Sequence, residues 1–168
     1  MTGDRISKAA VVRPMSTTFT VTASAHIDAP PGRVYGIIAD YRTGHPKILP
    51  RPFRNFVVEA GGVGAGTIIR FEVHAYGTVT KCRAIVTEPE PGRVLVERNI
   101  EPNESITTFT VAADANGGAD VTFVTEAQSR DGMAGAIERF ISKRFLQKLY
   151  AQELQLLGKR ATAGNQAS

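Results

Sequence analysis

Residues Ala25 to Pro50 read AHIDAPPGRVYGIIADYRTGHPKILP, and the punctuation of this stretch orders the chain on both sides of it. Asp28 is placed to cap a helix, and Pro30 or Pro31 suits its first turn, where no amide needs an intrahelical partner. Val34, Ile37 and Ile38 fall on one side of that short helix, and Asp40-Tyr41 stops it. Arg42 to Leu49 suits one or two further helical turns, interrupted by Gly44 and His45-Pro46, and Pro50 and Pro52 close the segment. Just upstream, Phe19, Val21, Ala23, Ala25 and Ile27 alternate with Thr18, Thr20, Thr22, Ser24 and His26. That period of two predicts a half-buried strand.

Downstream the punctuation is that of an antiparallel meander. Strands are expected at Phe56 to Glu59, Thr67 to Ala75, Val79 to Thr87, Val94 to Asn99, Ser105 to Ala112 and Ala119 to Ala127. Between them lie the turn clusters Gly61 to Gly66, Gly77, Pro89-Glu90-Pro91-Gly92, Pro102-Asn103 and Asn116-Gly117-Gly118. Proline presets its own φ in such turns, and glycine and asparagine accept positive φ. A long helix is then expected from Met133 to Leu157, entered after Asp131-Gly132 and ended by Gly158. Met133, Ile137, Phe140, Ile141, Phe145, Leu149 and Leu157 recur along it at steps of three and four, a stripe that needs a surface to cover it.

Ile27-Asp28-Ala29-Pro30, Val34-Tyr35 and Ala39-Asp40-Tyr41 together resemble the opening motif of the START-like superfamily (SRPBCC), the helix-grip proteins grouped with polyketide cyclases, lipid-transfer proteins and plant pollen allergens. The resemblance spans Phe19 to Leu157. It implies an α+β helix-grip fold, in which a curved antiparallel sheet of six to seven strands wraps around a long C-terminal helix, with two short helices between the first two strands. A sheet of that size is not filled completely by one helix, so a cavity is expected between them.

The 168 residues are enough for one domain with a substantial core. We divide them into an N-terminal extension over 1–16, a helix-grip domain over 17–158 and a tail over 159–168. Hydrophobic residues make up 42% and charged residues 21%, and no apolar run approaches the ~20 residues of a membrane-spanning helix. The first residues lack the apolar core of a secretory signal, and the single Cys82 has no internal disulfide partner, so a cytoplasmic location is expected. The net charge of +4 is concentrated between Glu138 and Arg160, where six basic residues face two acidic ones. With no interleaved aromatic or RNA-binding motif this basic helix reads as a solvated face and not as a nucleic-acid site, while peripheral contact with a membrane stays open.

No histidine has the spacing of a zinc motif, and no cofactor is implied. The run Gly61 to Gly66 precedes a strand and lacks a following lysine, so it reads as a hairpin turn instead of a phosphate loop. The candidate chemical groups are His45, in the break between the short helices, where an imidazole can exchange a proton near neutral pH, and Tyr41 beside it. Asp40 reads as the residue that orients this bend. The residues expected to line an apolar ligand site are Phe71, Val73, Phe109, Val111, Val121 and Phe123 from the sheet, with Met133, Ile137, Phe140 and Ile141 from the helix. Arg98 and Glu126 are expected to reach water. The leading expectation is a monomer or homodimer that binds a small hydrophobic molecule, such as a lipid, polyketide or aromatic compound. The alternatives are a cyclase- or dehydratase-like enzyme working in the same cavity, and a module that contacts a partner protein.

Overall fold

The computed structural model describes residues 16–163. The expected N-terminal extension therefore lies outside the described residues except for Ser16, which already belongs to the first strand. The elements run β1 (Ser16–Ile27), α1 (Pro31–Ala39), a single 3-10 turn (His45–Lys47), β2 (Phe53–Ala60), β3 (Ile68–Ala75), β4 (Thr78–Glu90), β5 (Val94–Glu101), β6 (Ser105–Ala113), β7 (Ala119–Arg130) and α2 (Gly132–Thr162).

The seven strands form one antiparallel sheet in the order β1-β7-β6-β5-β4-β3-β2. Six of the six downstream strands stand where the alternation and turn clusters put them, with ends displaced by a few residues. β1 and β2 occupy opposite edges, so residues 28–52, which connect them, must cross the open end of the curved sheet. This places α1 and the His45 turn over the concave face, where α1 packs on α2 and on β6 and β7. One face of the sheet is apolar: Phe19, Val21 and Ile27 from β1, Ile69 and Phe71 from β3, Leu95 from β5, Phe109 and Val111 from β6, and Val121 and Phe123 from β7 are all buried. Arg98 points to the other face, where it pairs with Glu104, and Glu126 is exposed there as well.

Three local expectations are corrected. α1 begins after Pro30, which takes the N-cap position, so Asp28 lies outside the helix and does not cap it. The second short helix shrinks from Arg42–Leu49 to the 3-10 turn, because Asp40 ties the preceding residues into a tight bend. α2 passes through Gly158 and continues to Thr162, with Ala161 fully buried, so the expected tail from 159 onward starts inside the helix. Gly158 lies above β1, where an added Cβ would stand 4.0 Å from Ile27, and the close approach of helix to strand continues past it.

The larger correction concerns which face of α2 meets the sheet. Leu149, Tyr150, Glu153, Leu154, Leu157 and Ala161 are buried, whereas Met133, Ile137, Phe140 and Ile141 are 82%, 57%, 60% and 43% exposed. Phe140 precedes Leu149 by nine residues, about two and a half turns, so the two lie on opposite sides of the helix. In the first half of α2 the inward side is not apolar. Gly135 sits against the end of β7 so closely that a Cβ would run into the carbonyl oxygen of Arg130. Arg139 donates to Ser129 Oγ at 3.0 Å and to the Arg130 carbonyl at 3.2 Å. These contacts hold the helix by polar groups and leave its apolar stripe facing outward.

Candidate functional site

The bend that follows α1 is built by Asp40. Its Oδ1 accepts hydrogen bonds from the backbone amides of Arg42 and Thr43, both at 2.9 Å, and its Oδ2 accepts from the Thr43 hydroxyl. These bonds, the one from the Thr43 hydroxyl foremost, hold the Asp40 carboxyl below its ordinary range. The Asp40 carbonyl accepts from the amides of Gly44 and His45 at 3.0 and 2.7 Å. The glycine-rich loop braces the same bend from outside, since the Tyr41 amide donates to Gly62 and the Gly64 amide to Ala39, both at 2.9 Å. The result is a rigid turn that drives His45 and Tyr41 inward, both of them buried.

Once inside, His45 is oriented at both ring nitrogens. Nδ1 lies 2.7 Å from the carbonyl oxygen of Ile38, which can only accept, so Nδ1 carries a proton and donates it. Nε2 faces Glu97 Oε1 at 3.6 Å. The same Glu97 oxygen accepts the Tyr41 hydroxyl at 2.6 Å. The His45 ring stacks on Tyr41 with centroids 4.6 Å apart and meets the edge of Phe109 at 5.9 Å. Burial, then the charge of Glu97, pushes the Tyr41 phenol well above its ordinary value, so Tyr41 remains a hydrogen-bond donor that fixes the carboxylate.

Beside this group lies a cavity of about 150 Å³ between the sheet and α2. Leu49, Phe53, Phe56, Ile69, Phe71 and Leu146 supply apolar wall. The wall also carries the polar residues His45, Glu97, Asn99, Thr107, Thr125, Tyr150 and Glu153. Tyr150 hydrogen-bonds Thr125, which in turn meets Thr107 at 2.8 Å. Burial pushes the Tyr150 phenol up to about 12, against the opposing pull of those two hydroxyls. One of these polar groups is unpaired, and another is a buried acid. Asn99 Oδ1 is buried without a hydrogen-bond partner among the described residues. Glu153 is 2% exposed, and burial first, then the negative charge of Glu97, raises its pKa well above the ordinary carboxylate value. Glu153 therefore keeps its proton under conditions in which an exposed glutamate has lost it.

Of the residues expected at the ligand site, His45, Phe71, Val73 and Phe109 line the cavity. Tyr41 stands behind His45 and reaches the cavity only through Glu97. Val111, Val121 and Phe123 are core residues outside the cavity wall. Met133, Ile137, Phe140 and Ile141 lie on the far side of α2, and their assignment to the ligand site is withdrawn. Sequence reasoning passed over Glu97, Asn99, Tyr150 and Glu153. For Glu153 the signal was present: it follows Leu149 by four residues and precedes Leu157 by four, which sets it on their face of the helix.

A curved sheet that grips one long helix around an internal cavity defines the helix-grip class. The sequence profile described as polyketide cyclase / dehydrase and lipid transport matches residues 18–162, and the chain belongs to that family. Among solved structures, the KanY protein is similar at 25% identity with a TM-score of 0.76, covering 86% of this chain and 98% of its own. The ZhuI aromatase/cyclase from a Streptomyces species is similar at 16% identity with a TM-score of 0.65, covering 88% and 99%. A START superfamily protein from Mycobacterium smegmatis is similar at 12% identity with a TM-score of 0.68, covering 86% and 97%. The last two likenesses concern the fold alone. No functionally curated protein matches the sequence.

Proposed function

We propose that the protein binds a small, uncharged, ring-sized molecule in the cavity between the sheet and α2. The observation that carries this reading is the cavity itself, about 150 Å³, lined by aromatic side chains and by buried polar groups that include the unpaired Asn99 Oδ1. An apolar cavity of roughly 150 Å³ is the size that takes up a benzene ring, and a long acyl chain is too large for it. Of a lipid, a polyketide and an aromatic compound, the volume therefore favours the aromatic compound or a short cyclised polyketide. No lysine or arginine is among the lining residues, so a carboxylate ligand would be buried without a counter-charge, at a cost of several kcal/mol. A hydroxyl or carbonyl on the ring would instead meet Asn99 or Glu153.

The test is a calorimetric titration with phenol and indole, on the wild type and on Ala127→Leu. Ala127 is a half-buried residue of the cavity wall, and leucine adds three carbons directed into the space. Saturable binding that disappears in a folded Ala127→Leu supports the assignment, and equal affinity in both proteins refutes it.

Glu153 favours a second reading, a dehydratase-like activity in the same cavity. A carboxyl whose pKa is raised above the ordinary carboxylate value can donate to a leaving hydroxyl, while His45, oriented by the Ile38 carbonyl, accepts the proton from the adjacent carbon through Nε2. The C–O and C–H bonds break, a carbon–carbon double bond forms and water leaves. If this reading is correct, Glu153→Gln lowers turnover of a β-hydroxy carbonyl substrate by ~100-fold or more while leaving its binding in place. Unchanged turnover in that variant would remove it.

A further inference from the structure

We propose that the outward face of the first half of α2 docks onto an anionic lipid bilayer. This inference is independent of what the cavity holds. Met133, Ile137, Phe140 and Ile141 form one exposed stripe at helical spacing. Four large apolar side chains in a row on one helix face are far more than scattered surface hydrophobics, and such a face marks a surface that meets something apolar. The helix stands away from the sheet on this side because Gly135 and Arg139 anchor its opposite face to the end of β7.

Charge identifies the occupant. Continuing along the same face by helical steps, the stripe passes into Arg144, Lys148 and Lys159, which line a groove with Arg51, Tyr76 and Phe145. No carboxylate is among the residues lining that groove. Tyr76, 74% exposed at the β3–β4 turn, packs its ring 5.7 Å from Phe145 and adds an aromatic of the kind that settles at headgroup depth. A helix with an apolar stripe that gives way to cations, lying in the plane of an interface, is the arrangement that binds negatively charged lipid surfaces. A second copy of the chain would bring the same cations against these. A nucleic acid would offer nothing to the exposed Ile137, Phe140 and Ile141. No described helix is long and apolar enough to cross a membrane, so the contact is peripheral. Leu149 lies in the walls of both the groove and the inner cavity, which puts the docked surface one side chain away from the ligand site.

The experiment is co-sedimentation with vesicles of phosphatidylcholine alone and of phosphatidylcholine mixed with phosphatidylglycerol. The wild type is expected to bind the mixed vesicles, to ignore the neutral ones and to be released by salt. Each cation near an anionic surface strengthens binding roughly fivefold, so the double variant Arg144→Gln, Lys148→Gln should bind about 25-fold more weakly. Phe140→Ser with Ile137→Ser should lose binding while its circular dichroism and melting remain those of the wild type, because neither side chain packs in the core. Ala127→Leu, which fills the cavity, should bind vesicles normally, and this separates the surface from the ligand site. The proposal is overturned if no vesicles are bound, if binding is indifferent to lipid charge or to these side chains, or if the wild type sediments as a dimer that Phe140→Ser splits, since the stripe then serves a second copy.

Discussion

Replacing Glu153 by glutamine should change how stability depends on pH. In the folded protein the carboxyl is buried beside Glu97, and its pKa is raised well above the ordinary 4.5. The folded state therefore holds a proton that the unfolded chain has released once the pH passes about 4.5. The stabilisation from this group is complete below the unfolded pKa and is lost as pH rises through the folded one. Within that window the slope is about 1.4 kcal/mol per pH unit, the free-energy equivalent of one proton. Glutamine has the same shape and no titration, so the stability gap between Glu153→Gln and the wild type should widen in favour of the variant by about 1.4 kcal/mol for each pH unit. In a domain of this size that is a relative shift of roughly 3–6 °C in Tm per unit. Urea denaturation of both proteins at several pH values from about 5 upward provides the measurement, and every other titrating group cancels in the difference. Glu97→Gln should narrow the window without closing it, because burial is the larger cause and the Glu97 charge the smaller. A gap that stays constant with pH would refute the reasoning, since Glu153 would then be titrating as an exposed carboxylate.

Three further outcomes follow from the same geometry. Burial pushes the Cys82 thiol up to about 11, so it should react with a disulfide reagent far more slowly than a free cysteine near neutral pH. Because Cys82 lines the cavity, a bound ligand should slow it further, and a stopped-flow thiol assay reads both effects. Gly135→Ala should destabilise the fold by ~2 kcal/mol or more in denaturant titration, because its methyl cannot share space with the Arg130 carbonyl and the start of α2 must move. Asp40→Ala removes three hydrogen bonds from the bend and should cost about 1–2 kcal/mol in the same assay. It should also loosen His45, seen as exchange broadening of its imidazole resonances.

The strands and turns were legible because their signals are local. Alternation through Phe19 to Ile27 and the clusters at Pro89 to Gly92 and Asn116 to Gly118 act within a few residues, and the sheet stands where they put it. The face of α2 was not legible, because the helix carries two stripes. Met133 to Ile141 satisfies helical spacing as well as Leu149 to Ala161 does, and only the docking of Gly135 and Arg139 against β7 decides between them. Glu97 and Glu153 were passed over because charged residues are almost always exposed. What keeps them inside is tertiary: the Tyr41 hydroxyl on Glu97, and surroundings that raise the pKa of Glu153 and so favour its uncharged form. His45 was found because the break around it was visible in sequence, whereas its partners Ile38 and Glu97 were fixed only by the fold.

The proposed ligand site is the inner cavity and not the outer stripe of α2. A titration of the protein with indole, followed by NMR of aromatic and methyl resonances, tests this most directly. The predicted result is saturable shifts of Phe71, Phe109, Leu146 and Tyr150, with Met133, Ile137, Phe140 and Ile141 unmoved. Shifts confined to Met133, Ile137, Phe140 and Ile141, with the cavity residues silent, would contradict it.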